Sequence, residues 1–271
     1  MQLMWKMRKI KGFSRRRDGY ILDVGSGGNP TPYADVLLEK YLDDTAHRFR
    51  KMVMDRTTVV SDAETMPFKD ASFSYSTAYH ILEHVEQPDK FLNELTRVSN
   101  AGYIETPNAL YEAVCPYNQH LWYISFLDGV IQLKRKTKQT DEALSEILNH
   151  INITKLIKSY PKKFHVQLDW SKSINHKLTQ NNVEKGNFND YRSKLQISRR
   201  SKFSQIVSKI GNILLRMLIK PRSPDMSKLL ICPNCRGDVK VDDSSIACIS
   251  KNCGAIYKRY KNIYYMNEKM R

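Results

Sequence analysis

Residues 20–30 read Tyr20-Ile21-Leu22-Asp23-Val24-Gly25-Ser26-Gly27-Gly28-Asn29-Pro30, an apolar run closed by a glycine-rich turn. The pattern predicts a buried strand ending in a tight loop. Glycines at such a loop let the backbone approach a ligand where any Cβ would collide. In a dinucleotide-binding loop a third glycine falls three residues after the second, which is position 30 here. Pro30 occupies it and lacks the N–H that a pyrophosphate uses, so the loop suits a nucleoside cofactor without phosphates.

Working outward, Ala34–Tyr41 (ADVLLEKY), the run ending Val59-Val60-Ser61-Asp62, Phe73–Tyr79 (FSYSTAY) and Gly102–Thr106 (GYIET) supply four more strand candidates. Pro88–Val98 places Phe91, Leu92, Leu95 and Val98 at helical spacing behind a first-turn proline. Strands alternating with helical segments predict an α/β fold with a mostly parallel sheet. The stretch from Gly25 to the second strand is short for a parallel crossover and contains Pro30 and Pro32, which predicts a truncated first helix. A cofactor lacking phosphates needs a carboxylate for its ribose hydroxyls at the end of the second strand, where Glu39 stands. It needs another on the third strand to accept from an adenine amino group, and Asp62 stands there.

With these residues in register, ILDVGSGGNP, SDAETMPFKDASFSYS and AYHILEHVEQPDKFLNEL resemble the class I S-adenosylmethionine-dependent methyltransferases, type 11-like, over roughly residues 18–170. The resemblance implies a Rossmann-like sheet with flanking helices. It also implies that Asp23, Gly25, Ser26 and Gly27 surround the methionine part and ribose, and that Glu39 holds the ribose diol. Asp62 and the backbone of Ala63 would meet the adenine, with Tyr79 and His80 facing the methyl end. Methyl transfer from a sulfonium mainly requires alignment and sometimes removal of a proton. His80 and His84, four apart, would share a helix face there, either one able to act as the base. Asn108, Tyr111, His120 and Trp122 are weaker candidates for the acceptor pocket.

Further on, Leu121–Leu133 is apolar and aromatic, Lys134–Lys138 is basic and Asp141–Ile157 has a helical pattern. Phe164–Trp170 alternates like a late strand of the sheet, and residues 171–202 are polar without periodicity, which predicts a loop. Phe203–Ile219 has one apolar face and reads as a helix packed on the main domain or lying on an anionic membrane.

Cys232-Pro-Asn-Cys235 and, after twelve intervening residues, Cys248-Ile-Ser-Lys-Asn-Cys253 have the pattern of a four-thiolate structural zinc site with no open position for catalysis. The second pair is spaced by four residues where two is usual. A ribbon over residues 230–266 has little core of its own, so zinc would supply its folding energy. LLICPNC and CGAIYKRYKNIYYM resemble the small zinc-ribbon subunit that activates methyltransferases acting on tRNA and translation factors, here fused to its enzyme. That implies stabilising or substrate-presenting work. Cys115 stands alone and reads as an inert thiol. The domain reading is a basic leader (1–17), a methyltransferase domain (18–170), a basic linker with an amphipathic helix (171–227) and a zinc ribbon (228–271).

The chain has 271 residues, 41% hydrophobic and 27% charged, which excludes collagen-like, wholly disordered and disulfide mini-protein classes. No run approaches the ~18 apolar residues of a spanning helix, and lysines interrupt the first residues before a signal core forms. The expected location is cytoplasmic, with peripheral contact to an anionic membrane surface as a variant. The net charge of +16 is uneven: residues 18–115 carry eight basic against sixteen acidic residues, while residues 116–271 carry 29 against 12. The basic regions suit RNA or another anionic surface as partner. The expected activity is methyl transfer to an acceptor not yet identified, a small molecule or glycan ahead of RNA or an RNA-bound protein. The alternative is a non-catalytic binding protein that docks a macromolecule through its ribbon or basic surface.

Overall fold

The structure is a computed structural model that describes residues 14–42, 51–136, 153, 157, 159–179 and 218–270. After a 3-10 turn at Arg15–Arg17 come β1 (Ile21–Val24), β2 (Val36–Glu39), β3 (Thr57–Val60) and β4 (Tyr75–Tyr79). Next are α1 (Pro88–Val98), β5 (Ala101–Pro107), α2 (Ala109–Val114), β6 (Trp122–Leu127) and β7 (Val130–Arg135). Then follow α3 (Pro161–Phe164), β8 (His165–Ser171), β9 (His176–Leu178) and α4 (Met226–Leu229). The last four strands are β10 (Val239–Val241), β11 (Ser245–Cys248), β12 (Ile256–Tyr260) and β13 (Ile263–Lys269).

The first four strands leave neither face of the sheet in water. Every residue of β1, β2 and β3 is buried, as is β4 except Tyr79, the signature of a parallel sheet covered on both sides. Strands β3-β2-β1-β4-β5 run parallel and β8 closes that side antiparallel, giving the Rossmann-like α/β fold expected. Strand order reverses at β1, so the loops after β1 and β4 flank the crevice in which open α/β sheets hold ligands.

Helix α1 spans the residues its periodicity marks, with Pro88 in its first turn and Phe91, Leu92, Leu95 and Val98 buried. Its Ncap side chain makes no capping bond. Glu64 instead fixes the chain entering the helix, its Oε1 accepting from the amides of Glu86 (2.7 Å) and Gln87 (3.1 Å). Between β1 and β2 there are only turns, so the crossover with Pro30 and Pro32 has no helix at all.

Two expectations change, and one segment left without an element gains one. The segment Leu121–Leu133 is a hairpin, β6 paired antiparallel to β7 through a turn at Asp128 (φ +49°) and Gly129 (φ +80°). Two positive φ values make this the primed turn that Asp-Gly favours. The predicted loop from 171 contains β9, parallel to β7, because the hairpin offers it an edge. His80 and His84 do not share a helix face: residues 80–87 form turns, and His80 has φ +53°, incompatible with a helix.

The C-terminal strands join the same sheet. β13 pairs in parallel with β3, with Tyr264 in register with Val59, so the order is β10-β11-β12-β13-β3-β2-β1-β4-β5-β8. Val239, Ile246, Tyr257, Tyr264 and Met266 belong to the cluster that contains Leu22, Val36, Phe68 and Leu92. The ribbon therefore borrows a core it lacks alone. Among the described residues, no helix is long and apolar enough to cross a membrane. The predicted helices at Asp141–Ile157 and Phe203–Ile219 lie almost wholly outside the described residues, as does the leader up to residue 13. Ile219 itself is buried against Ile21, Leu37 and Tyr103.

Candidate functional site

The glycine loop is held from below and from the side. Gly25 (φ +66°) and Gly27 (φ +52°) both take the left-handed conformation. A Cβ on Gly25 would stand 2.5 Å from Ile81 Cδ1, a measure of how closely the loops after β1 and β4 approach. Glu39 Oε1 accepts from Ser26 Oγ (2.8 Å) and from the Gly27 amide (2.7 Å), so the acid ending β2 is tied to the loop. Asp23 lies beneath the loop rather than on its surface. Its carboxylate accepts from the Thr31 amide (2.6 Å) and Thr77 Oγ1 (2.7 Å), and burial pushes its pKa up to about 6 despite those bonds.

Asp62 follows β3 and is partly exposed. Its Oδ1 accepts from the Glu64 amide at 2.9 Å and its Oδ2 pairs with Lys40 at 2.8 Å. Ala63 beside it is buried. Gly25, Ser26, Gly27, Glu39, Asp62 and Ala63 thus stand at the ends of β1, β2 and β3. The two glycines in left-handed conformation and the rank of carboxylates fit a nucleoside cofactor.

On the other side of the switch point, Tyr79 ends β4 and its ring lies 5.3 Å from Tyr103. His80 then turns sharply, its amide donating to the Glu105 carbonyl (2.8 Å). Its ring lies 3.3 Å from the Glu83 carboxylate and 4.0 Å from that of Glu105, edge-on to His165. Burial alone would lower the imidazole pKa, but the Glu83 and Glu105 carboxylates outweigh it and hold the value raised. His84 has other neighbours. Its Nδ1 meets the Gln119 carbonyl (3.1 Å), and its ring packs edge-on against His120.

Of the weaker candidates, Asn108 caps α2 and donates to the Lys163 carbonyl, while Trp122 donates to the Val85 carbonyl. Both are structural. Tyr111 packs against the rings of His165 and His120. Cys115 caps the end of α2, half-buried, with its thiol pKa raised by burial. Glu83, Glu105, Glu112 and His165 were not singled out from the sequence. Glu83 lies inside HILEH and Glu105 lies near the end of a strand, both readable signals, whereas His165 arrives only through the antiparallel return of β8.

The four C-terminal cysteines converge. Cys232 and Cys253 Sγ lie 3.7 Å apart, Cys235 and Cys248 Sγ 3.4 Å apart, and all four sulfurs fall within 4.8 Å of one another. Tetrahedral zinc with Zn–S bonds of ~2.3 Å separates its sulfurs by about 3.8 Å, so the donor set fits that ion, which would hold the two turns together. The wider second spacing is absorbed by a turn in which the Cys253 amide donates to the Ser250 carbonyl. Asn234 Nδ2 donates to Cys253 Sγ (3.2 Å).

Residues 22–104 match the model of a family described as a methyltransferase domain, a family that implies S-adenosylmethionine as cofactor. A demethylmenaquinone methyltransferase of Paenarthrobacter aurescens (strain TC1) is 25% identical over 168 residues, 60% of this chain and 64% of the relative. The chain thus spans a little under two thirds of that relative's length. Among solved structures, a putative methyltransferase from Bacillus halodurans C-125 is 23% identical, covering 33% of this chain and 45% of that one with a TM-score of 0.27. The YcgJ protein of Bacillus subtilis is 18% identical, covering 51% and 52% with a TM-score of 0.28.

Proposed function

We propose that the protein is an S-adenosylmethionine-dependent methyltransferase acting on a small-molecule or glycan acceptor. The observation that carries this reading is the closed loop at the switch point, with Gly25 and Gly27 in left-handed conformation and the Gly27 amide fastened to Glu39. In this reading Glu39 holds the ribose diol, Asp62 and the Ala63 backbone hold the adenine, and Asp23 braces the loop through Thr31 and Thr77. Tyr79 lines the methyl end.

The cofactor, when bound, supplies a methyl group already activated on a sulfonium. The chain's task is to align the acceptor and keep water out. His80 is the residue we assign to take the acceptor's proton as the new bond to the methyl carbon forms, the electron pair of the broken carbon–sulfur bond remaining on sulfur. Its backbone bond to Glu105 fixes the ring at the end of β4. His84, turned toward His120, has no part in that step. The preference for a small acceptor draws on the relative's name, which specifies a demethylmenaquinone substrate. In this reading the four cysteines hold structural zinc, and the ribbon stabilises the β3 edge.

The test is calorimetric titration of zinc-loaded protein with S-adenosylmethionine and with its demethylated product at two salt concentrations, for the wild type and Glu39→Ala. One-to-one binding lost in Glu39→Ala supports the reading, and unchanged affinity in that variant overturns the site assignment. Methyl-label transfer to RNA that weakens steeply with salt would replace the small acceptor by a nucleic acid. No cofactor binding at all would leave the non-catalytic alternative.

A further inference from the structure

We propose that Glu83, His84 and His120 form a second metal site, separate from the cysteine cluster, for a divalent transition-metal ion of the zinc type. One ligand atom from each of the three lies within 4.8 Å of the others. Ligands of tetrahedral zinc at ~2.0–2.1 Å bonds stand about 3.3 Å apart, so modest side-chain rotation closes the set. Two imidazoles and one carboxylate suit zinc, cobalt or iron far better than magnesium or calcium.

The surroundings orient these residues as ligands. A carbonyl oxygen can only accept, so the contact of His84 Nδ1 with Gln119 O at 3.1 Å places the proton on Nδ1 and the lone pair on Nε2. His120 Nδ1 is likewise bonded to the Glu112 carboxylate, whose other oxygen is paired with Lys136. Glu112 is buried and Lys136 also donates to the Tyr117 carbonyl, so the carboxylate is held in place and fixes the His120 ring. A carboxylate or carbonyl behind each histidine is the outer arrangement that metal-binding histidines use.

The third ligand supplies the independent observation. Glu83 is 1% exposed. Its Oε2 accepts from Thr106 Oγ1 at 2.9 Å, but among the described residues its Oε1 meets no donor in bonding geometry. His80 Nδ1 stands 3.3 Å from that oxygen, close enough to feel its charge. A buried carboxylate oxygen without a hydrogen bond is costly, and a cation beside it removes that cost. Three protein ligands leave tetrahedral zinc one position for water or an acceptor heteroatom. The cluster lies just beyond the ends of β4 and β5. The site stands on geometry alone and does not require that the protein transfer methyl groups.

The experiment adds cobalt(II) to full-length protein whose cysteine site already holds zinc, following visible d–d absorption and bound-metal stoichiometry. The expected result is one further equivalent per chain, with no thiolate-to-cobalt charge-transfer band. His84→Ala and His120→Ala should weaken that equivalent at least 10-fold, and Glu112→Gln, which acts through His120, by about 10- to 100-fold. Cobalt loaded instead into the cysteine site of each variant reports folding through its charge-transfer band. If buried His120→Ala loses that band, half-buried His84→Ala decides. A stoichiometry that stays at one metal per chain, or a second equivalent unaffected in His84→Ala, overturns the proposal.

Discussion

Arg222 and Asp35, 187 residues apart in sequence, meet in a two-oxygen ion pair. Arg222 Nη2 donates to Oδ2 at 2.6 Å, and its Nε and amide donate to Oδ1 at 3.1 and 2.9 Å. Arg16 adds a bond to Oδ1 at 2.8 Å, and Arg222 also donates to the carbonyls of Arg16 and Gly19. This fully buried carboxylate gathers the chain before β1 and the segment leading to the ribbon onto one point.

That pair gives stability a pH signature. Burial would raise the Asp35 pKa, but the bonds from Arg222 and the charges of Arg16 and Arg222 outweigh it and hold the carboxyl below its ordinary 3.8. A folded-state pKa below the unfolded one stabilises the fold above the unfolded value, and the gain is lost as pH falls through the folded value. Arg222→Ala should therefore lower stability by about 1–3 kcal/mol near neutrality, toward the low end because Arg222 is partly exposed. The difference in urea midpoints from wild type should shrink below about pH 4. A gap that stays constant down to acid pH would show that the carboxylate is not responsible.

Loss of the four-cysteine site should be felt in β3. The Thr58 amide donates to the Asn262 carbonyl at 2.9 Å, and the Ile231 amide to the Pro67 carbonyl at 3.0 Å. Arg236 reaches the Met66 carbonyl. Cys232→Ser, which removes a buried ligand, should loosen all of these together. Hydrogen exchange at Thr58 should accelerate, and Tm should fall by about 5 °C or more at 2–4 °C per kcal/mol. Unchanged exchange at Thr58 would mean that β13 holds its place without metal.

Gly25→Ala has two separable costs. Left-handed backbone costs a residue bearing a Cβ about 1–2 kcal/mol, and the new methyl would meet Ile81 Cδ1 at 2.5 Å. Adding Ile81→Val should recover the steric part only. Cofactor affinity, followed by calorimetry, should fall in Gly25→Ala and recover only in part in the double variant. Full recovery would show that loop conformation is unimportant.

Gly102 tests the sheet away from the site. A Cβ there would lie 2.5 Å from the Ser76 carbonyl oxygen and 2.6 Å from Trp170, one of them backbone that cannot yield. Gly102→Ala should cost about 1–3 kcal/mol by overpacking, measured by thermal unfolding, with cofactor affinity unchanged in the protein that remains folded.

His80→Asn keeps a residue that tolerates positive φ and removes the imidazole. Cofactor affinity should stay within about twofold of wild type while the methyl-transfer rate falls about 100-fold or more. An undiminished rate would remove His80 from the chemistry.

The sequence by itself determined the central five strands, helix α1, a first crossover too short for a full helix and the acids at the ends of β1, β2 and β3. These are local: apolar runs, glycine turns and a first-turn proline act within a few residues of where they stand. The β6–β7 hairpin was equally local, since Asp128-Gly129 between apolar runs is its signal. The tertiary structure alone decided what depends on partners distant in the chain. Strand β13 finds its edge on β3, more than 200 residues earlier, because a ribbon too small to bury its own apolar face gains a shared core with Phe68 and Leu92 by extending the sheet. Histidine placement is of the same kind. Spacing put His80 and His84 on one helix face, but the turn after β4 gives them different neighbours, Glu105 and His165 in one case and Gln119 and His120 in the other. A side chain's direction at a turn is set by backbone dihedrals that the surrounding packing imposes, and no periodicity in the sequence records them.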